Sequence, residues 1–411
     1  MDKTKFVERL PDDQGAGLLK SYPAVKTPWG KMYDWHFACQ YIAREAHVIS
    51  AAMLGAIRCL VPDYEERARI FCEATYENNY NLYKGPIGKE SVDQQNMHPF
   101  ARGCFMGALL GDYADEALLM TGRVNDFGTY RVEKELDTCP WDIVGSEVCR
   151  ATTAGFEGIA DGIGEHQPQG PHLEFNMVEA LGCGDLHCRI VAENREKYPM
   201  PPKPRWEAFG PIATADQVQY TPEEEQYSES AFFRRDADHT YVNGVNHAFD
   251  ASACTYNMQA SAGECNVQKA FEYGVREGMF TEEQVIYAVK AVCEAAGKAA
   301  FGSFYAKAGA REFLGVPQGM SGEDTRILGG IVEMFLQTKL VPYEVEKFDG
   351  EETIIVFERA LIYADKFLVA MIAYWYGAAK TLLSAKFALW EEDSPEGKVR
   401  LKIARKIDKY C

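Results

Sequence analysis

The chain has no CxxC pair among its twelve cysteines and no Lys-Ser/Thr phosphate loop. It also lacks any apolar run of about 18 residues and any excess of basic charge. Each absence excludes a class. Without CxxC spacing, zinc ribbons and iron–sulfur runs lose their main signature. The glycines at 155, 158, 162 and 164 do not have phosphate-loop spacing, so no nucleotide cofactor is expected. The longest apolar approach, Phe367 to Leu383, contains Lys380 and reads as a buried helix, so no membrane partner is expected. The opening MDKTKFVERLPDD has no apolar core of a secretory leader, and cysteines in such a chain are expected as thiols in the cytoplasm. A net charge of −18 argues against nucleic acid and anionic membrane as partners.

What is present fits a globular protein: 411 residues, 47% hydrophobic and 12% aromatic, enough for two cores. Two distant segments resemble each other. Phe175 to Tyr198 and Phe387 to Tyr410 share five residues in 24 at an offset of 212. Tyr130-Arg131-Val132-Glu133-Lys134 and Tyr343-Glu344-Val345-Glu346-Lys347 match at 213, and Cys72-Glu73-Ala74 and Cys293-Glu294-Ala295 at 221. Their collinear order predicts an internal duplication. The expected fold is α+β, with two similar domains, each a helical layer on a small antiparallel sheet. The expected boundaries are an arm over 1–30 with a turn at Pro28-Trp29-Gly30, a first repeat over 31–198, a linker and edge segment over 199–240, and a second, degenerate repeat over 241–411.

Residue patterns locate the elements. A helix is predicted from Tyr33 to Cys59, where His36, Cys39 and His47 are a metal alternative to core packing. A second opens at Pro62-Asp63, with Asp63 as cap, and carries the ridge Tyr76, Tyr80 and Tyr83. A strand covers Gly128 to Leu136, and a helix follows Cys139-Pro140-Trp141 through Glu147 and Cys149 until its glycines loosen or end it. Strands Leu173 to Ala180 and Leu186 to Ala192 form a hairpin around Leu181-Gly182-Cys183-Gly184-Asp185. In the second half, the pattern predicts strand Val341 to Phe348 and helix Glu358 to Leu383.

The chemistry-bearing residues gather at this hairpin and at the helix before it. Cys139 at a helix N-cap is either a nucleophile favoured by the helix dipole or a thiol packed beneath Pro140. Strand alternation puts Phe175, Met177 and Glu179 on one face and separates Cys188 from His187 and Arg189. A site facing the Cys139 helix draws on Cys188 and Glu179, and one on the reverse face on His187 and Arg189. Glu147 or Glu179 is the expected acid or base. Arg102, Arg189, Trp141 and Tyr80 are the expected substrate contacts. Aligning the halves places Arg400 at the position of Cys188 and Glu391 at that of Glu179, so the second copy has lost the thiols.

The block from Glu133 to Val191 resembles the L-2-amino-thiazoline-4-carboxylic acid hydrolase family. The likeness rests on Cys139-Pro140 before a helix and on Gly184-Asp185-Leu186-His187-Cys188-Arg189-Ile190, with His187 where that family has a second cysteine. It covers about 60 residues. A related signature occurs in vinyl-reductase-type ligand-binding domains. The resemblance implies hydrolytic opening of a C–N-containing ring in a small polar substrate. The alternatives are a small-molecule or tetrapyrrole-binding sensor or carrier, and a metal enzyme using Cys139, Cys183, Cys188 and His187. A homodimer is the expected assembly.

Overall fold

The computed structural model describes residues 24–33, 35–86, 88–89, 121–127, 131–138, 145–168, 172–199, 201, 203–207, 266–339, 341–359 and 365–406. The chain divides into two compact units. The first comprises Met1–Ser21, Val61–Gln259 and Glu272–Gly274; the second comprises Tyr22–Leu60, Ala260–Phe271 and Val275–Cys411. The architecture is mixed α+β with small antiparallel sheets.

The second unit begins with a short hairpin, β1 (Val25–Lys26) and β2 (Met32–Tyr33), closed by the expected turn, in which Gly30 has φ 82°. Helix α1 (Trp35–Leu60) follows. It buries Ile49, Met53, Leu54, Ala56 and Ile57 within the second unit, whereas the sequence pattern grouped it with the first repeat.

Helix α2 (Tyr64–Lys84) opens the described part of the first unit. Its cap is as predicted: the Asp63 carboxylate accepts the Glu66 N–H at 2.8 Å, and Glu65 and Glu66 occupy the first turn. Strands β3 (Thr121–Phe127) and β4 (Arg131–Thr138) form a hairpin. Helix α3 (Ser146–Gly164) leads to β5 (Glu174–Glu179) and β6 (Cys188–Glu193). The sheet order is β3-β4-β6-β5. Phe156 of α3 meets Phe175 of β5 with ring centroids 5.9 Å apart.

The second unit continues with α4 (Glu282–Ala300), α5 (Phe304–Leu314) and α6 (Arg326–Thr338). Then come β7 (Tyr343–Phe348), β8 (Glu352–Glu358), α7 (Asp365–Ala378), a π-helical turn (Ala379–Leu383), β9 (Phe387–Glu392) and β10 (Lys398–Arg405). Its sheet order is β7-β8-β10-β9. Tyr374 and Trp375 of α7 are buried, and the Trp375 ring meets Phe335 edge-on at 5.4 Å. Among the described residues no helix is long and apolar enough to cross a membrane.

Three expectations are corrected. Strands β3 and β8 were not foreseen, and Glu358 ends a strand rather than starting a helix. Thr353 to Phe357 is an unbroken buried run, which has no alternation to mark it as a strand. The matched YRVEK and YEVEK blocks fall on the second strand of one sheet and the first strand of the other. Finally, Gly155, Gly158 and Gly162 neither loosen nor end α3. A Cβ on Gly158 would stand 2.5 Å from the Tyr76 carbonyl oxygen, so these glycines let α2 and α3 pack backbone to backbone.

The pair α4 and α7 uses the same device. A Cβ on Gly297 would lie 1.9 Å from Tyr374 O, and one on Gly377 would lie 2.0 Å from Glu294 O. Gly377→Ala is therefore expected to cost roughly 1–3 kcal/mol through overpacking. Gly309→Ala in α5, where nothing lies within 4 Å, should instead gain about 0.5–1 kcal/mol. Urea unfolding midpoints of the two variants check this pair of opposite signs.

Candidate functional site

The hairpin β5–β6 turns through a 3-10 segment, Leu181–Cys183, and Gly184 at φ 101°. The Asp185 carboxylate accepts the Ala180 N–H at 2.8 Å and holds the turn closed. Alternation separates Cys188 and His187 as expected. Cys188 is buried and its Sγ accepts the Leu181 N–H at 3.3 Å. On the opposite face, His187 Nε2 lies 2.6 Å from Glu179 Oε2 and 3.5 Å from Glu135 Oε1.

Glu179 departs from expectation. It does not share the Phe175 and Met177 face with Cys188. A register shift between Met177 and Glu179 inserts Val178 as an extra residue, which places Glu179 opposite Arg189 and beside His187. Arg189 stands in register between Glu135 and Glu179. The reverse face thus carries a histidine between two carboxylates, and the Cys188 face has lost its expected acid.

Glu147, in the first turn of α3, is 1% exposed and accepts from Arg67 Nε at 3.0 Å. The same guanidinium donates from Nη1 to Val61 O at 2.8 Å and Pro62 O at 2.6 Å. These contacts tie α3, through Glu147, to the start of α2. Tyr80, an expected substrate contact, stacks on Tyr76 at 5.9 Å and donates its hydroxyl to Glu165 Oε1 at 2.5 Å. Cys139, Trp141 and Arg102 lie outside the described residues, as do the side chains of His36 and Cys39.

A second cluster, not foreseen, lies further along α3. Glu157 and Asp161 stand four residues apart on this helix, and His172, just before β5, reaches both. His172 Nδ1 is 2.7 Å from Asp161 Oδ1, and Nε2 is 4.0 Å from Glu157 Oε1. The Tyr76 hydroxyl donates to Asp161 Oδ2 at 2.9 Å. Arg205 lies 3.5 Å over the Tyr76 ring and pairs with Glu73 at 3.1 Å. Lys203 and Arg205 fall in the linker and edge segment expected over 199–240, yet both are partly buried beside this cluster. The usable signal was the helical spacing of Glu157 and Asp161 opposite the tyrosine ridge.

The electrostatics of this cluster are unusual. The Glu157 side chain is 13% exposed, and burial pushes its carboxyl up to about 7 against the pull of Arg205. Burial also holds Lys203 below its ordinary value. Asp161 fixes the His172 tautomer by accepting from Nδ1, which leaves Nε2 toward Glu157. One ligand atom each from Glu157, Asp161 and His172 lies within 4.8 Å of the others, as a divalent ion would require. The imidazole, however, turns a different nitrogen to each carboxylate, which is the arrangement of a proton relay rather than a chelate.

The corresponding hairpin of the second unit carries no thiol. Glu391, at the position aligned with Glu179, pairs with Arg359 beside an open groove at the β9–β10 turn that also includes Pro395 and Lys398. No family model, curated protein or solved structure matches this chain.

The Glu157 shift carries a pH signature. The folded state holds this proton more tightly than the unfolded chain, whose carboxyl has its ordinary value near 4.5. The resulting stability is complete below about 4.5 and is lost as pH rises to about 7. Relative to Glu157→Gln, the wild type should therefore lose on the order of 3 kcal/mol across that window. Urea melts of both proteins at stepped pH measure it; parallel profiles would refute the assignment.

Proposed function

We propose that the first unit is a hydrolase that adds water across a C–N bond of a small polar cyclic substrate, with Glu157, His172 and Asp161 as its acid–base machinery. The observation that carries this reading is the His172 ring held between Asp161 and Glu157, whose carboxyl is pushed up to about 7 by burial. In the reaction, neutral Glu157 gives its proton to the departing ring nitrogen. His172 takes a proton from the attacking water at Nε2, and Asp161 stabilises the imidazolium that forms. Tyr76 keeps Asp161 oriented. The proposed reaction is the one implied by the resemblance to the L-2-amino-thiazoline-4-carboxylic acid hydrolase family, moved from thiols to a carboxylate–imidazole set. Cys139 and Cys188 remain the nucleophiles of the thiol version.

A binding role without catalysis, as in a sensor or carrier, has one observation in its favour. Cys72, Cys183 and Cys293 are all held above the ordinary thiol value, chiefly by burial, so these thiols are poor nucleophiles. We also infer an internal duplication. Supporting it are the matching sheet orders, the glycine-mediated helix pairs α2–α3 and α4–α7, and the equivalent burial of Cys72 and Cys293. A cytoplasmic homodimer is the setting we favour, in keeping with the free thiols and the acidic composition.

The test is turnover of a panel of small cyclic C–N compounds that includes 2-amino-thiazoline-4-carboxylate, followed by amine release. Glu157→Gln and His172→Asn should each lower kcat about 100-fold, and Glu157→Gln should remove the limb of the pH profile near 7. Full activity in either variant, with loss in Cys188→Ala, would move the chemistry to the hairpin thiols. Binding of a panel member without turnover would favour the carrier.

A further inference from the structure

The segment that follows β6 reaches back to the relay at two places. Asn194, directly after the strand and buried, donates from Nδ2 to the His172 carbonyl oxygen at 2.8 Å. Its Oδ1 accepts the Glu196 and Lys197 N–H groups at 3.1 and 3.0 Å, so the turn that leaves the sheet also holds the His172 backbone. Further on, a second turn presents Arg205. Glu207 N–H donates to Pro204 O at 3.0 Å, and Lys203 Nζ donates to Glu207 O at 2.5 Å. Arg205 Nη1 donates to Glu73 Oε2 at 3.1 Å, and its Cζ lies 3.5 Å from the centroid of the Tyr76 ring. Glu73 and Tyr76 are neighbours on the surface of α2, so one arginine engages both. The Tyr76 hydroxyl donates to Asp161 Oδ2 at 2.9 Å, and Asp161 Oδ1 faces His172 Nδ1 at 2.7 Å. The contacts from Glu73 to His172 are therefore continuous.

We propose that Arg205 is a positioning residue of the relay: its cation on the face of Tyr76 strengthens the hydrogen bond from the Tyr76 hydroxyl to Asp161, and Asp161 in turn sets how readily His172 takes a proton. The proposal rests on the relay reading of Glu157, Asp161 and His172. A cation over a phenol is attracted by the negative face of the ring and draws electron density from it. The hydroxyl becomes a stronger donor, and its bond to a carboxylate is charge-assisted. Asp161 then presents less charge to Nδ1, so the imidazole is less basic and stays neutral to a lower pH. The neutral ring is the form that accepts a proton from water at Nε2. The charged and titratable groups facing the imidazole are Asp161 and Glu157 of α3, with Tyr76 of α2 behind Asp161 and Lys203 and Arg205 from the segment after β6. The Arg205 cation also opposes the burial that raises the Glu157 carboxyl. Arg205 works on His172 through the phenol, so its effect depends on the hydroxyl being there.

The experiment follows the His172 ring nitrogens by NMR against pH, in the full-length chain carrying isotope-labelled histidine and with no substrate present. Comparison with His172→Asn identifies its signals among those of the eight histidines. Arg205→Gln and Tyr76→Phe should each move the His172 titration to higher pH, by about 0.5. In the double variant the two shifts should not add. With the hydroxyl gone, Arg205→Gln should contribute less than about half of its effect in the wild-type background. Arg205→Met, which keeps an unbranched side chain over the ring without the charge, takes its place if the glutamine variant does not fold. A His172 titration unmoved by loss of the cation, or full additivity with Tyr76→Phe, would overturn the proposal. The measurement needs no turnover. The predicted shifts in a protein that converts no panel member would uphold the role of Arg205 and strike the hydrolysis instead.

Discussion

The structure depends on two helices in each unit coming close enough for their backbones to touch. Ordinary helix pairs are kept 8–10 Å apart by their side chains. In the pairs α2–α3 and α4–α7, glycines take the place of side chains at the contact, so carbonyl oxygens of one helix fill the space of the missing Cβ atoms. That approach sets where α3 and α7 can lie. These two helices connect the hairpins of each sheet, so the helix contact also fixes the positions of β5–β6 and β9–β10. The buried pairing of Arg67 with Glu147 adds a second point of registration near the starts of α2 and α3. It joins two charges that would each be costly if left alone in the interior.

Much of this was legible in the sequence where the physics is local. The Asp63 cap, the Pro28–Gly30 turn, the long α1 helix and the opposed directions of His187 and Cys188 follow from capping, turn and alternation rules. The losses came where a non-local contact decides. The glycines of α3 read as helix breakers because their benefit lies on another helix, 80 residues earlier in the case of Gly155 and Thr75. The direction of Glu179 depended on one inserted residue, and a strict period of two cannot express a bulge. Burial on both faces hid β8, because a strand without a solvent face loses its alternation.

The candidate site shows the same division. Thiols and the Gly-Asp turn drew attention to the hairpin because cysteine and glycine stand out in a sequence. The cluster of Glu157, Asp161, His172 and Tyr76 is built from common residues on three separate segments, and its unusual property, a carboxyl that keeps its proton near neutrality, comes from burial. Burial of one carboxylate among many in an acidic chain has no signature in composition. Lys203 and Arg205 were obscured by the prolines around them, although a proline-rich stretch is stiff enough to hold cations in place.

The order of segments along the chain has a consequence for synthesis. Helix α1 belongs with α4 and α7, yet the ribosome makes most of the first unit, Val61–Gln259 and Glu272–Gly274, between them. At 5–20 residues per second, α1 waits on the order of 10 to 60 s before its apolar face meets its partners. During that interval Ile49, Met53, Leu54 and Ile57 have no native cover, so the nascent chain is a natural client for chaperones that bind exposed apolar helices.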